Sequence, residues 1–370
     1  MDVEKNREFG RTIGKLINKQ HLDQEEAYAA FSLVLNNEVS EMQQGAFLAA
    51  LTAKGETAAE VAGGWKAVYE LDTNKVDFGD LPIVDNCGTG MDSFKTFNIS
   101  TAASVAAAAG GLAVARHGAR AITSSCGTVD MAERLGVDVE CPVDVVATSV
   151  RTAGLGLFNG MSPAVHPMAL GRILSQIAFG SPLNIAASLA HPAMPRVALR
   201  GVYDRSLLMP VAEVMRHIGY TDALVVHGTI AGSSLGMDEA SVCGTTYGVW
   251  LKDGSITSHE WQPADCGLQP HDPAGLRADS DPENAAVRMY RLLAGRDSAA
   301  RTDAVVLNSA LLFLVSNTVN NLNDGVALAR ETIQSGAALA TLENWVRNQN
   351  RNPEQGLARL NYLQREACCQ

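Results

Sequence analysis

The chain has 370 residues, of which 46% are hydrophobic and 19% charged, enough to bury a sizeable core as one large or two smaller domains of an ordinary globular protein. Its formal net charge of −11 argues against non-specific nucleic-acid binding, which depends on Lys and Arg neutralising phosphates. The longest apolar stretches, such as Thr101 to Val114, are Ala/Gly-rich and interrupted, and Asp2, Glu4 and Lys5 stand at the start, so a soluble, cytoplasmic protein with no membrane partner is expected.

Up to about Asp72 the sequence reads as helices. Asp23-x-x-Glu26, Ser40-x-x-Gln43 and Thr57-x-x-Glu60 each put a side-chain acceptor at a helix start with a carboxyl or amide three residues on, the reciprocal pattern that satisfies orphan N–H groups. Ala27, Phe31 and Leu35, then Ala46, Phe47, Ala50 and Leu51, recur at helical spacing. From Leu81 short apolar runs alternate with Ala-rich helical segments: Pro82 to Val84, Leu112 to Ala115, Ala223 to Val226, and later "ITSHEWQP". That alternation predicts an α/β domain with a mainly parallel sheet flanked by helices. Residues 303–346 return to helix, with Leu307, Ala310, Leu311 and Leu314 on one face and Ala327, Ala329 and Ile333 on another. The weakest order is expected in 267–284, rich in Pro, Gly and Asp, and after Asn350. The seven cysteines are odd in number, scattered and without a C-x-x-C pair, which excludes a disulfide framework or structural zinc site and predicts reduced thiols.

The stretch "VDNCGTGMDSFKTFNIST" (84–101) joins a strand to an Ala-rich helix. Gly88-Thr89-Gly90 offers backbone N–H groups free of Cβ atoms, and Asn98, Ser100 and Thr101 fall where a helix start favours a phosphate. A tight Gly turn with a hydroxyl cap would look alike. No Walker or dinucleotide fingerprint is present. "ARHGAR" (115–120) then sets Arg116, His117 and Arg120 at a strand end, where open α/β sheets bind ligands, and "SSCGTVD" (124–130) repeats the loop-to-helix pattern. Two such cradles suit a ligand with more than one phosphate. The adjacent Asp238 and Glu239 are either a solvated turn or the carboxylates that hold Mg²⁺ against those phosphates.

In order along the chain, "GTG-x-D…TFNIST", "HG-x-R", "SS…G…D", "SPAVHP", "GVYD…L…VAEV…GY…ALVVHG", "DE-x-S" and "LNSALL" resemble the anthranilate phosphoribosyltransferase family, from the first helices to about residue 346. The resemblance implies a helical domain (1–72, completed by helices near 162–192) on a phosphoribosyl pyrophosphate-binding α/β domain (73–161 and 193–350), a C-terminal tail (351–370), and a homodimer joined through the helical domain. It implies donor contacts from Gly88, Thr89, Gly90, Asp92, Thr96, Asn98, Ser100, Thr101, Arg116 and Cys126, with Arg116 where the family usually has Lys and Cys126 where Ser is common. Ser100, Asp238 and Glu239 would be ligands of two Mg²⁺ ions. The implied activity moves 5-phosphoribosyl to an aromatic amine such as anthranilate, as in tryptophan biosynthesis, without a general base.

On the acceptor side the resemblance points to His117, Gly118, Ala119 and Arg172. Ala119 replaces the Asn of H-G-N-R, Arg172 is offset from the usual acceptor-binding Arg, and "AASLAHP" (186–192) replaces L-G-P-L-x-N-P. A different aromatic or heterocyclic amine therefore stays open as acceptor. So do a nucleoside phosphorylase, which shares the architecture, and a non-catalytic relative that binds nucleic acid.

Overall fold

The computed structural model of the chain describes residues 3–120, 126–177 and 179–369. Four helices come first: α1 (Val3–Ile17), α2 (Gln24–Leu35), α3 (Glu41–Lys54) and α4 (Ala58–Leu71). Asp23 and Thr57 form reciprocal caps with Glu26 and Glu60. Ser40 caps the Gln43 N–H, but the Gln43 amide donates to Asn6 O of α1 at 2.6 Å rather than back to the cap. The buried face of α3 is Gln44, Phe47, Leu48 and Leu51, so Ala46 is exposed where the spacing had put it inward. Ala327 is likewise exposed.

The sheet contains β1 (Ile83–Gly88), β2 (Ala113–Gly118), β3 (Leu155–Asn159), β4 (Val197–Gly201), β5 (Asp222–Thr229), β6 (Gly236–Met237), β7 (Thr246–Lys252) and β8 (Ser255–Trp261). Its order is β3-β2-β1-β4-β5-β7-β8, with β6 on β5. The first five in that order are parallel; β6, β7 and β8 join antiparallel. The chain runs outward from β1 through β2 to β3, then restarts on the other side of β1 with β4 and β5. Beyond the carboxyl ends of β1 and β4 the strand order therefore reverses, which opens the crevice where such sheets take ligands.

One face of the sheet packs on α5 (Ile99–Ala109), α6 (Thr128–Leu135), α11 (Pro282–Leu293), α12 (Ala299–Val315), α13 (Leu322–Gln334), α14 (Ala337–Asn348) and α15 (Pro353–Cys369), all in one core. The opposite face meets α7 (Val143–Ala153) near β2 and β3, and near β4 and β5 a layer in which α8 (Leu170–Ile177), α9 (Pro182–Leu189) and α10 (Leu208–Ile218) share a core with α1 to α4. Asp72 ties this layer together by accepting the backbone N–H groups of Met168, Ala169 and Leu170 at 2.6–2.8 Å.

Both segments expected to be weakly ordered are packed. In 267–284, Leu276 is buried, Thr96 bridges Arg277, and Leu276 O accepts the Phe97 N–H at 3.1 Å, so this stretch braces the loop before α5. The tail after Asn350 is the helix α15, whose Leu360, Leu363 and Ala367 are buried; the apolar spacing outweighs its polar composition. Among the described residues no helix is long and apolar enough to cross a membrane.

Candidate active site

The site grows from the register of β1 and β4, whose last residues, Gly88 and Gly201, are paired. A Cβ on Gly88 would lie 2.1 Å from Asp238 Oδ2, and one on Gly201 1.6 Å from Asp238 O. Only glycine lets the Asp238 turn close over both strand tips. The loop continues with Gly90 and Met91 at φ of 66° and 67°; for Met91 this left-handed backbone is strained, a condition that clusters at functional loops. Gly90 N–H donates to Asp238 Oδ2 at 2.7 Å, and Thr89 N–H to Gly201 O at 3.0 Å.

At the start of α5, the Thr96 and Ser100 hydroxyls lie 3.4 Å from the two Glu239 carboxylate oxygens. Asn98 makes no cap with its side chain and instead donates to Cys126 O at 3.1 Å, linking the first loop to the second. Asp92, Asp238 and Glu239 are all buried. Burial, with Asp238 and Asp92 nearby, pushes the Glu239 carboxyl well above its usual range; burial and Asp238 also raise Asp92, which Lys95 meets at 3.2 Å. Such crowding of like charges is what a bound cation relieves. The Asp238 and Glu239 carboxylates and the Ser100 hydroxyl are hard oxygen donors of the kind that hold Mg²⁺ when phosphate and water complete its shell. Asn308 of α12, which sequence reasoning left without a role, fixes this turn: its side chain bonds both Ala240 N and Ala240 O at 3.0 Å. An amide inside an otherwise apolar helix was the available signal.

Arg116 and Thr101 lie beneath this loop rather than at its mouth. The Arg116 guanidinium is 2% exposed, donating to Asn86 O at 2.9 Å and Thr101 Oγ1 at 2.7 Å, so the pair braces β1 against α5. Arg120 turns outward to Asp130 and Glu133. The second cradle is described only from Cys126, since Ser124 and Ser125 lie outside the described residues. Burial pushes the Cys126 thiol up to about 11, so it stays neutral. The Gly127 N–H at the head of α6 is taken by Asp130 at 2.9 Å.

Opposite faces of the strand tips differ. On the α9 side, His117 Nδ1 donates to Ser188 O at 3.2 Å, His166 Nδ1 donates to Asp72 O at 2.7 Å, and the two Nε2 atoms stand 3.3 Å apart. His191 lies 5.5 Å from His117, ring to ring. Burial, foremost, holds all three imidazoles below their usual range, so they are neutral near pH 7. Gly118 is half-buried and Ala119 exposed at the end of β2.

Family models match almost the whole chain: the helical bundle domain of a glycosyl transferase family over residues 11–71 and its a/b domain over 80–339. Anthranilate phosphoribosyltransferase of Methanothermobacter thermautotrophicus is 34% identical over 345 residues, 91% of this chain and 97% of that protein. The chain belongs to this family. The Bacillus mycoides anthranilate phosphoribosyltransferase is 36% identical over 335 residues, 89% of this chain and 94% of its own length. The solved anthranilate phosphoribosyltransferase of Thermus thermophilus superposes with a TM-score of 0.81 at 32% identity, covering 91% of this chain and 98% of that one. The Saccharomyces cerevisiae structure in complex with PRPP and Mg shares the fold, with a TM-score of 0.79 at 23% identity over 93% and 98% of the two chains.

Set beside the family pattern, the fold brings Gly88, Thr89, Gly90, Asp92, Thr96, Asn98, Ser100, Asp238 and Glu239 around one crevice, with Cys126 joined through Asn98. It does not bring Arg172 there. The Arg172 guanidinium donates to Gln44 Oε1 at 2.9 Å and Val34 O at 3.0 Å, inside the helical layer. Satisfied on α2 and α3, it is withdrawn from the acceptor site expected of it. Three residues that sequence reasoning gave no role lie beside His117 instead: His166, Ser188 and Arg200.

Proposed function

We propose that the chain is a phosphoribosyltransferase that moves 5-phosphoribosyl from phosphoribosyl pyrophosphate to the nitrogen of an aromatic amine, anthranilate, and releases pyrophosphate. The observation that carries this reading is the union, at the switch point of the sheet, of a Cβ-free loop, the start of α5 and the Asp238–Glu239 turn. The head of α5 and the Thr96 and Ser100 hydroxyls beside it would bind the phosphates and orient the anomeric carbon. Asp238, Glu239 and Ser100 would hold Mg²⁺, two ions on this reading, and the ion supplies charge stabilisation for the departing pyrophosphate. As the C–O bond to pyrophosphate breaks, positive charge develops on the ribose, and the amine lone pair forms the C–N bond from the opposite side. The amine proton leaves to water. An aromatic amine is neutral near pH 7, so no general base is assigned, and neutral His117 lines the acceptor side without repelling the developing cation.

Loss of anthranilate fluorescence on adding phosphoribosyl pyrophosphate and Mg²⁺ tests this; no loss at any donor concentration contradicts it. One observation favours a second reading, an amine without a carboxylate: Arg172 is turned away, and Ala119 offers no polar group. Assembly as a homodimer through the helical layer belongs to the same proposal, supported by Ile17 and Met42 exposed on that layer; a monomer in analytical ultracentrifugation overturns it. A cytoplasmic setting is likewise proposed, in keeping with seven cysteines that are all free.

A further inference from the structure

On the α9 face of the strand tips, one buried charged side chain is only partly satisfied. Arg200 is 3% exposed, and its guanidinium makes a single hydrogen bond, Nη2 to Ser188 Oγ at 2.7 Å. Nε and Nη1 are both buried, with no hydrogen-bond partner among the described residues, and no ion pair is formed. Asp85, on the neighbouring strand and the same face, feels the charge of Arg200 but makes no hydrogen bond with it among the described residues. It lies two residues deeper on β1, since Asp85 pairs in register with Ala198 while Arg200 pairs with Cys87. Its carboxylate takes the His117 backbone N–H, and its Oδ1 is itself without a partner. An unpaired guanidinium in a protein interior costs several kcal/mol, and a buried polar group left unsatisfied calls for an explanation.

Placement supplies one. Arg200 precedes Gly201 and lies beside Cys87, which precedes Gly88, so it is one residue from the glycine loop. Strand alternation sends Arg200 to the face opposite Asp238. Ser188 joins it to the histidines, because the same residue gives its hydroxyl to Arg200 and its carbonyl to His117. The histidine rings and Phe158 pack 5.4–5.5 Å apart, which makes this a ring-lined wall. With those imidazoles neutral, Arg200 is the fixed positive charge of that wall.

We infer that Arg200 is the specificity-determining partner of a carboxylate on the amine acceptor, through Nη1 and the second N–H of Nη2, an edge of the planar guanidinium that matches carboxylate geometry. This deepens the phosphoribosyltransferase reading and rests on it. The acceptor is thus an aminobenzoate-like molecule rather than an uncharged arylamine, and the role expected of Arg172 is filled from β4.

The test compares anthranilate with aniline, and Arg200→Met and Arg200→Lys with the native chain, at saturating phosphoribosyl pyrophosphate and Mg²⁺. The ratio of kcat/KM for anthranilate to that for aniline is expected to fall on the order of a hundredfold in Arg200→Met, mostly through KM. It should recover in part in Arg200→Lys, which keeps the charge and loses the fork. In the absence of ligands, Arg200→Met should melt no lower than the native chain, because an unpaired buried charge has been removed. An unchanged ratio in a folded Arg200→Met overturns the inference and leaves Arg200 a water-solvated structural group. A lower melting temperature with an unchanged ratio does the same. Calorimetric donor binding separates the two levels: if the native chain binds no phosphoribosyl pyrophosphate, the activity itself fails and this inference falls with it. Donor binding with an unchanged ratio refutes Arg200 alone.

Discussion

At the same strand tips, the α5 face and the α9 face carry opposite chemistry. On the α5 side the ligand-facing groups are backbone N–H, hydroxyls and three carboxylates, and the geometry comes from glycines that leave no room for a Cβ. On the α9 side they are neutral imidazoles and one guanidinium, carried by β2, β4, the link before α8 and the residues just after α9. A half built from backbone cannot change its chemistry without changing its fold. A half built from side chains can exchange one arginine for another while the fold stands. On the proposed reading, that contrast lets the donor half keep the glycines and paired acids of the family pattern while the acceptor half differs from it.

The contrast is sharpest at Glu239. Glu239→Gln keeps the Thr96 and Ser100 contacts in shape but removes charge, and is expected to lower kcat by about a hundredfold or more at saturating Mg²⁺. A loss of only a few fold, in steady-state assays across a Mg²⁺ titration, would mean that the carboxylates hold the turn and nothing else. Arg172 probes the other half. Because its bonds run to Gln44 and Val34, Arg172→Met should cost about 1 kcal/mol in urea unfolding and leave the anthranilate KM unchanged. A raised KM with unchanged stability would restore Arg172 to the acceptor site.

A pH series separates the halves by sign. His117, His166 and His191 are held below their usual range, so unfolding lets them take up protons near pH 6.5. Their contribution to stability is present above that pH and lost as pH falls below it. The raised carboxyls of Glu239 and Asp92 act in the opposite sense, losing stability as pH rises through their folded-state values. The comparison is therefore between the native chain and His117→Asn. Between pH 7.5 and pH 5.5, urea unfolding should show the native chain losing stability relative to the variant; parallel curves would mean that His117 takes up protons equally in the folded and unfolded states. The smallest effect is expected at Cys126, where Cys126→Ser replaces a weak donor with a hydroxyl and should tighten donor binding by about threefold. No change in calorimetric affinity would put Cys126 outside the phosphate contacts.

Much of this was legible in the sequence, for physical reasons. The capping residues Asp23 and Thr57, the glycines at 88 and 90 and the paired acids at 238 and 239 act locally, within a few residues of what they bind. Gln43 escaped because a backbone carbonyl of α1, Asn6 O, takes its amide, and α15 because a polar composition masked its buried Leu360 and Leu363. On the acceptor side topology decided what local pattern could not. Arg116 and Arg172 have the right chemistry near the right motifs, yet their guanidinium groups are consumed by Thr101 and by Gln44. Arg200 sits in an apolar strand run and meets Ser188 only through the packing of α9 on the sheet. No spacing rule reports which of three arginines is left only partly satisfied.

The measurement that bears most directly on the account is calorimetric titration of the native chain with phosphoribosyl pyrophosphate, with and without Mg²⁺, followed by anthranilate in the same cell. Mg²⁺-dependent donor binding and then heat of turnover with loss of anthranilate fluorescence is the predicted result. Absence of donor binding in the presence of Mg²⁺ would contradict it and reduce the crevice at Gly88, Gly201 and Glu239 to a structural turn.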